Sequence, residues 1–310
     1  MLKTIESPGA LAAAFFSILI VPAALLSAAR DQNSPAAPDF KDRVALFSYD
    51  RAAPLDVREI KAEKRGETIV KDIDFAPVPG APRVKAFILI PSGEGPFAGI
   101  LWVHWLGEKL SNREEFLEEA LALAPRGAVS LLVDAMWADP NWYGTRDPDE
   151  DYPASIRQVV ELRRALDLLV GQRGVDPLRP GVVGHDYGGM YATYLAGVDQ
   201  RPKTDVLAAV TPSLLDWAFF LKQPKSKVDY IRRMAELDIT DFLRRAKGAS
   251  FFLQFAKNDN YVSRAGSAVY FAAAPGVKER KYYDADHALA VPAVASDRSA
   301  WLVRELGLRK

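Results

Sequence analysis

Residues 181–191 read Gly-Val-Val-Gly-His-Asp-Tyr-Gly-Gly-Met-Tyr. An apolar run leads straight into a small-residue helix start (Gly188, Gly189, Ala192), and Gly184 and Gly188 stand two residues either side of Asp186. A sharp strand-to-helix turn that presents one side chain to a cleft needs small residues at those two places, because a Cβ there would collide with the tight backbone. The pattern is that of a nucleophile elbow with Asp where Ser usually stands. The spacing alone also suits a plain helix start with Asp186 as its N-cap.

Working outward, β-rich apolar runs occur at 69–75, 84–90, 99–103, 129–133, 181–183, 206–210, 251–255 and 280–283, so eight strands are expected. The third to seventh are continuously apolar, as strands covered on both faces by helices are. Helical periods lie between them. Ser111 followed by Glu114 reads as a capping box opening a helix with Phe116, Leu117 and Leu121, and Ile156, Val159, Val160, Leu162, Leu166, Leu169 and Val170 make a broad apolar face on another. Strands alternating with helices predict an α/β fold with a mostly parallel sheet. The stretch 212–248 is longer than a crossover requires and reads as a short helical lid, or equally as a packed helix pair.

Candidate chemistry clusters after the strands. His287, just past the eighth, suits a general base, and Asp259, after the seventh, an acceptor for its second N–H. Asp259 reads as well as a turn residue, and Asp216 is its rival for the acid. The turn after the third strand can present the N–H of Trp105 or Leu106 opposite that of Tyr187, and two such donors make an anion-stabilising pocket. Trp137, Trp142 and Tyr143 are candidate pocket walls, though loop aromatics are as often core plugs. His104 and His185 read as structural.

Composition narrows the class. The 310 residues carry 40 Lys plus Arg against 40 Asp plus Glu, so no global field attracts nucleic acid, and a small-molecule substrate is the expected partner. With no cysteine and three well-separated histidines, no metal site and no cofactor is implied, and catalysis falls to oxygen nucleophiles and very few imidazoles. Lys3 precedes an apolar run over 11–26 that ends in Ser27-Ala28-Ala29, which predicts an export signal at 1–29 and a periplasmic or extracellular location. A membrane anchor is the alternative if that segment stays uncleaved. Residues 30–39 read as a linker and 40–310 as one domain. Oligomeric state is not legible.

From about residue 44 onward the chain resembles an α/β-hydrolase, with nucleophile, acid and histidine in the order Asp186, Asp259, His287. Residues 48–57 (Ser-Tyr-Asp-Arg-Ala-Ala-Pro-Leu-Asp-Val), 175–181 (Val-Asp-Pro-Leu-Arg-Pro-Gly) and 258–262 (Asn-Asp-Asn-Tyr-Val) resemble the dienelactone-hydrolase and acetyl-esterase branch, whose nucleophile is Cys or Ser. Gly-His-Asp is instead similar to haloalkane dehalogenases and epoxide hydrolases. Those families generally show His-Gly-x-Pro after the third strand and often Trp after the nucleophile, where this chain has His104-Trp-Leu-Gly and Tyr187. The resemblance implies a hydrolase acting on a small organic substrate, either an ester or lactone, or an epoxide or haloalkane through an alkyl-enzyme ester. A catalytically inactive ligand-binding protein on the same scaffold is the contrasting expectation.

Overall fold

The computed structural model describes residues 39–107 and 109–309. The export segment and nearly all of the linker lie outside the described residues. Among those described, nine strands form one sheet: β1 (Arg58–Arg65), β2 (Thr68–Phe75), β3 (Val84–Ile90), β4 (Phe97–Val103), β5 (Ala128–Val133), β6 (Val175–His185), β7 (Thr204–Ala208), β8 (Ser250–Ala256) and β9 (Lys278–Tyr283). Their spatial order is β1-β2-β3-β5-β4-β6-β7-β8-β9. The six strands from β5 to β9 in that order run parallel, and β3, β2 and β1 alternate in direction beyond them.

The helices are α1 (Phe40–Ala45), α2 (Leu117–Leu123), α3 (Trp142–Thr145), α4 (Asp151–Val170), α5 (Tyr187–Val198), α6 (Leu215–Ala218), α7 (Lys227–Met234), α8 (Ile239–Arg245), α9 (Arg264–Ala273) and α10 (Pro292–Glu305). Every residue of β4, β5, β7 and β8 is buried. Alternate β4 side chains explain why: Leu101 and Val103 join the core with α4 and α5, while Ile100 and Trp102 join the core with α2 and α10. A strand sealed on both faces has no solvent side on which to place a polar residue, hence the continuous apolar runs.

Two expectations need correction. The ninth strand is β1, Arg-Glu-Ile-Lys-Ala-Glu-Lys-Arg, exposed along nearly its whole length at the sheet edge. It has no apolar alternation because it buries no face, and its charges discourage another chain from pairing there. The capping box does not form either. Ser111 Oγ donates to the Trp105 carbonyl (2.9 Å) and accepts from the Gly107 N–H (3.3 Å), tying down the loop after β4, while α2 begins only at Leu117.

Between β7 and β8 the three helices divide in role. Phe242 and Leu243 of α8 are fully buried, and a Cβ on Gly197 of α5 would lie 2.8 Å from the Phe242 Cβ, so this end is close-packed core. The other end, α6, carries Trp217 to the carboxyl edge of the sheet, 5.6 Å from the His287 ring.

Candidate active site

The turn from β6 into α5 holds Asp186 at φ 52° and ψ −117°, a left-handed conformation that costs a non-glycine residue about 1–3 kcal/mol. Packing enforces it. A Cβ on Gly188 would lie 2.2 Å from the Val103 carbonyl oxygen, and one on Gly184 2.5 Å from that of Gly188. The two glycines thus let the elbow press against the end of β4. Asp186 N–H donates to the Ala208 carbonyl (2.8 Å), and in the loop after β4 the Leu106 N–H donates to Asp186 Oδ2 at 3.1 Å.

Asp186, Asp259 and His287 come from the ends of β6, β8 and β9 and meet at the carboxyl edge. His287 Nδ1 lies 2.9 and 3.0 Å from the two Asp259 oxygens, and its Nε2 lies 3.4 Å from Asp186 Oδ1. Asp259 Oδ1 also accepts the N–H groups of Tyr261 (2.8 Å) and Val262 (2.9 Å). The turn reading and the acid reading of Asp259 describe one residue: the turn bonds orient the carboxylate that faces the imidazole. Asp216 sits exposed on α6.

Burial disfavours charge on His287, but hydrogen bonding and attraction from Asp186 and Asp259 outweigh it and push its pKa up to about 9. Burial likewise opposes the Asp259 carboxylate, yet the His287 contact and the two backbone donors hold its pKa below the usual range. At neutral pH His287 is therefore an imidazolium, with Asp259 on one side and Asp186 on the other. Two atoms of this group, Asp186 Oδ1 and His287 Nε2, face each other at 3.4 Å and are buried outside any hydrogen bond, as is Trp217 Nε1 in the wall beside them.

A cavity of about 1310 Å³ opens at His287, with Tyr143, Trp217, Phe220 and Tyr261 among its lining residues. Of the three aromatics expected as walls, only Tyr143 takes that place. Trp137 is fully buried and donates its indole N–H to the His104 carbonyl (3.1 Å), so it is a core plug, and Trp142 packs behind it against Tyr187. The candidate anion donors also separate. The Trp105 N–H is taken by Glu115 Oε2 (2.7 Å), which leaves Leu106, together with Tyr187 in the first turn of α5, whose amides have no helical acceptor.

His104 is structural: Nδ1 faces the Trp105 carbonyl (2.8 Å), Nε2 accepts the Ala135 N–H (3.0 Å), and burial keeps its pKa low. The sequence marks His185 as structural and gives Glu115 no role. Both line the cavity, and they bond each other at 2.7 Å. Only the contact between loops shows this, since Glu115 belongs to no local motif and the elbow pattern does not specify the residue before Asp186. Among the described residues no group of three or more His, Asp or Glu is placed to hold a metal ion.

No protein-family model matches the chain, and no curated protein does. Solved structures do. An acetyl xylan esterase from Paenibacillus sp. R4 aligns with a TM-score of 0.71 at 17% identity, over 92% of this chain and 99% of that one. Acetyl xylan esterase 1 from Thermoanaerobacterium sp. JW/SL YS485 gives 0.67 at 15%, covering 87% and 94%. A glucuronoyl esterase from Solibacter usitatus gives 0.63 at 12%, covering 86% and 91%. At such identities the likeness concerns the fold, and with the sheet order above it makes this chain an α/β-hydrolase fold.

Proposed function

We propose that the protein is a hydrolase in which Asp186 attacks an sp³ carbon, as in an epoxide or haloalkane, and His287 then directs water to the resulting ester. One observation carries the reading: Leu106 N–H already holds Asp186 Oδ2, while Oδ1 is buried, without a hydrogen-bond partner and beside His287 Nε2. In this mechanism Oδ1 forms the bond to carbon as the leaving group departs with its electron pair. Alkylation removes the Asp186 charge, so His287 loses one of the two carboxylates that raise its pKa and gives up its proton, to the alkoxide of an opened epoxide or, when a halide leaves, to solvent. The neutral imidazole takes a proton from water, and the hydroxide adds to the Asp186 carbonyl carbon. Negative charge develops on Oδ2, where the Leu106 and Tyr187 N–H groups stabilise it. Collapse expels the alkoxide, which takes the proton from His287, and Asp186, now carrying one oxygen from water, passes its own proton to the imidazole, so the carboxylate and the imidazolium re-form.

The esterase neighbours favour a second reading, hydrolysis of an ester or lactone. Carboxylate attack there would give a high-energy anhydride, so Asp186 would serve as a base towards water. Single-turnover hydrolysis in oxygen-18 water, across ester, lactone, epoxide and haloalkane substrates, separates the two. Label in the peptide carrying Asp186 supports the covalent route. Label only in the product, with every substrate turned over, removes it. From residues 11–29 we further propose that the mature chain is exported and begins near Arg30, which N-terminal sequencing of secreted material tests.

A further inference from the structure

Glu115 and His185 link the loop after β4, the elbow and the loop that carries His287 without being among the three residues assigned to the chemistry. Glu115 Oε1 lies 2.7 Å from His185 Nδ1, and Oε2 accepts the Trp105 N–H at 2.7 Å. His185 Nε2 reaches the His287 carbonyl oxygen at 3.1 Å. The Trp105 indole lies flat on the His185 ring, with centroids 5.1 Å apart and planes 5° from parallel. His185 is 3% exposed and directly precedes Asp186; Trp105 directly precedes Leu106.

The bonding order follows from the partners. A carbonyl only accepts, so His185 Nε2 carries a proton. A second proton lies between Nδ1 and the Glu115 carboxylate. The carboxylate thereby joins the loop after β4 to the elbow, and the imidazole joins the elbow to the backbone of the His287 loop. Fixing the Trp105 N–H aims the next amide, that of Leu106, at Asp186. An apolar pair of similar size would pack here without the cost of burying charge, so packing alone gives no reason for these two residue types.

We infer that Glu115 and His185 are positioning residues, a strut that sets the Leu106 N–H and the His287 imidazole on either side of Asp186. The inference rests on the proposed hydrolase in that these are the atoms it positions. Its physical content, the coupling of two loops, can be read without turnover.

The test uses the chain labelled uniformly with ¹⁵N. In the unmutated protein at neutral pH, His185 Nε2 should be protonated, and the Trp105 amide should exchange slowly with solvent. In Glu115→Ala and in His185→Phe, which keeps a ring for Trp105 to stack on, the His287 resonances should move. Glu115→Gln should restore them, because its amide oxygen can accept from Trp105 while its NH₂ donates to Nδ1. With 1-bromobutane or styrene oxide as probe, Glu115→Ala should lower kcat about 10- to 100-fold with little change in KM, and Glu115→Gln should recover most of it. A bare Nε2 on His185, or His287 resonances unmoved in folded His185→Phe, overturns the strut. Should the variants fail to fold, the tautomer and amide exchange of the unmutated protein decide. Absence of turnover on any substrate would sink the hydrolase and leave these spectra unchanged, so the two ideas fail separately.

Discussion

Two buried clusters of charge stand at opposite edges of the same sheet. At the amino edge, Asp167 accepts from Tyr49 Oη (3.0 Å), Arg164 (2.9 Å) and Arg201 (2.6 Å), and Asp199 accepts from Arg201 (2.6 and 2.8 Å) and Arg163 (3.3 Å). Arg164 spends its remaining donors on the carbonyls of Pro77, Arg51 and Ala53. At the carboxyl edge, Asp186 and His287 are buried more deeply than Tyr49, Arg163 and Arg201, but each keeps an atom outside any hydrogen bond, the two facing each other at 3.4 Å. A saturated cluster can only hold the fold together. Unspent bonding capacity in a buried, rigid setting is what a reacting molecule can use, at the expense of stability.

The largest expected effect breaks the carboxyl-edge cluster. Asp186→Asn should form no adduct and lose at least ~10³-fold in turnover, whereas His287→Gln should accumulate the alkyl-Asp186 ester, visible by mass analysis of the peptide. If His287→Gln instead loses the first step as well, the general-base reading replaces the nucleophile. Asp259→Asn should slow turnover by loosening the imidazole without abolishing adduct formation.

The amino edge should respond in the opposite sense. Asp167→Ala leaves Arg164, Arg201 and Tyr49 short of an acceptor and should cost about 3–5 kcal/mol in urea unfolding, with kcat of the folded fraction unchanged. A loss of kcat without loss of stability would erase the contrast between the two clusters.

Acidity gives a smaller, signed test. The His287 pKa is raised, so its contribution to stability is fully present below about 6.5 and fades as pH rises through about 9. That of Asp259 is lowered, so its contribution holds above its ordinary value of 3.8 and fades as pH falls. The Tm difference between the unmutated protein and His287→Gln should therefore shrink towards alkaline pH. Breakdown of the ester, followed in single turnover, should show its basic limb below 9, since Asp186 no longer carries charge; coincidence with the free-enzyme titration would refute that coupling.

The smallest effect belongs to Asp205, a fully buried carboxyl on β7 whose two oxygens have no partner and whose pKa burial pushes well above its ordinary value. It shares the unspent bonding of the active edge but lies within a strand of the sheet. Asp205→Val should stabilise the protein by about 1–2 kcal/mol at neutral pH and by less near pH 4, measured by urea unfolding. Destabilisation at both would mean that a missing partner, such as a buried water, normally satisfies it.

Sealed strands could be read from the chain because burial on both faces leaves a one-dimensional mark, a continuous apolar run. β1 could not, since an edge strand with no buried face is held by backbone bonds to β2, which every residue type can make. The elbow was legible for a similar local reason: Gly184 and Gly188 are dictated by the turn they sit in. Asp259 and His287 were marked by standing just past strand ends, where a parallel sheet collects its loops.

Other features depend on which loops meet. Nothing local distinguishes Trp137 in the core from Tyr143 at the cavity, or marks Glu115 as the partner that takes the Trp105 N–H and leaves Leu106 facing Asp186. Sequence alone marked the α/β class, the sharp turn at Asp186 and the places of Asp259 and His287 just past strand ends, because each rests on backbone geometry within a few residues. The tertiary structure decided which amide faces Asp186, which aromatics wall the cavity and that His185 joins the loops around it, because those are contacts between residues 10 to 102 positions apart, and packing, not neighbouring sequence, selects them.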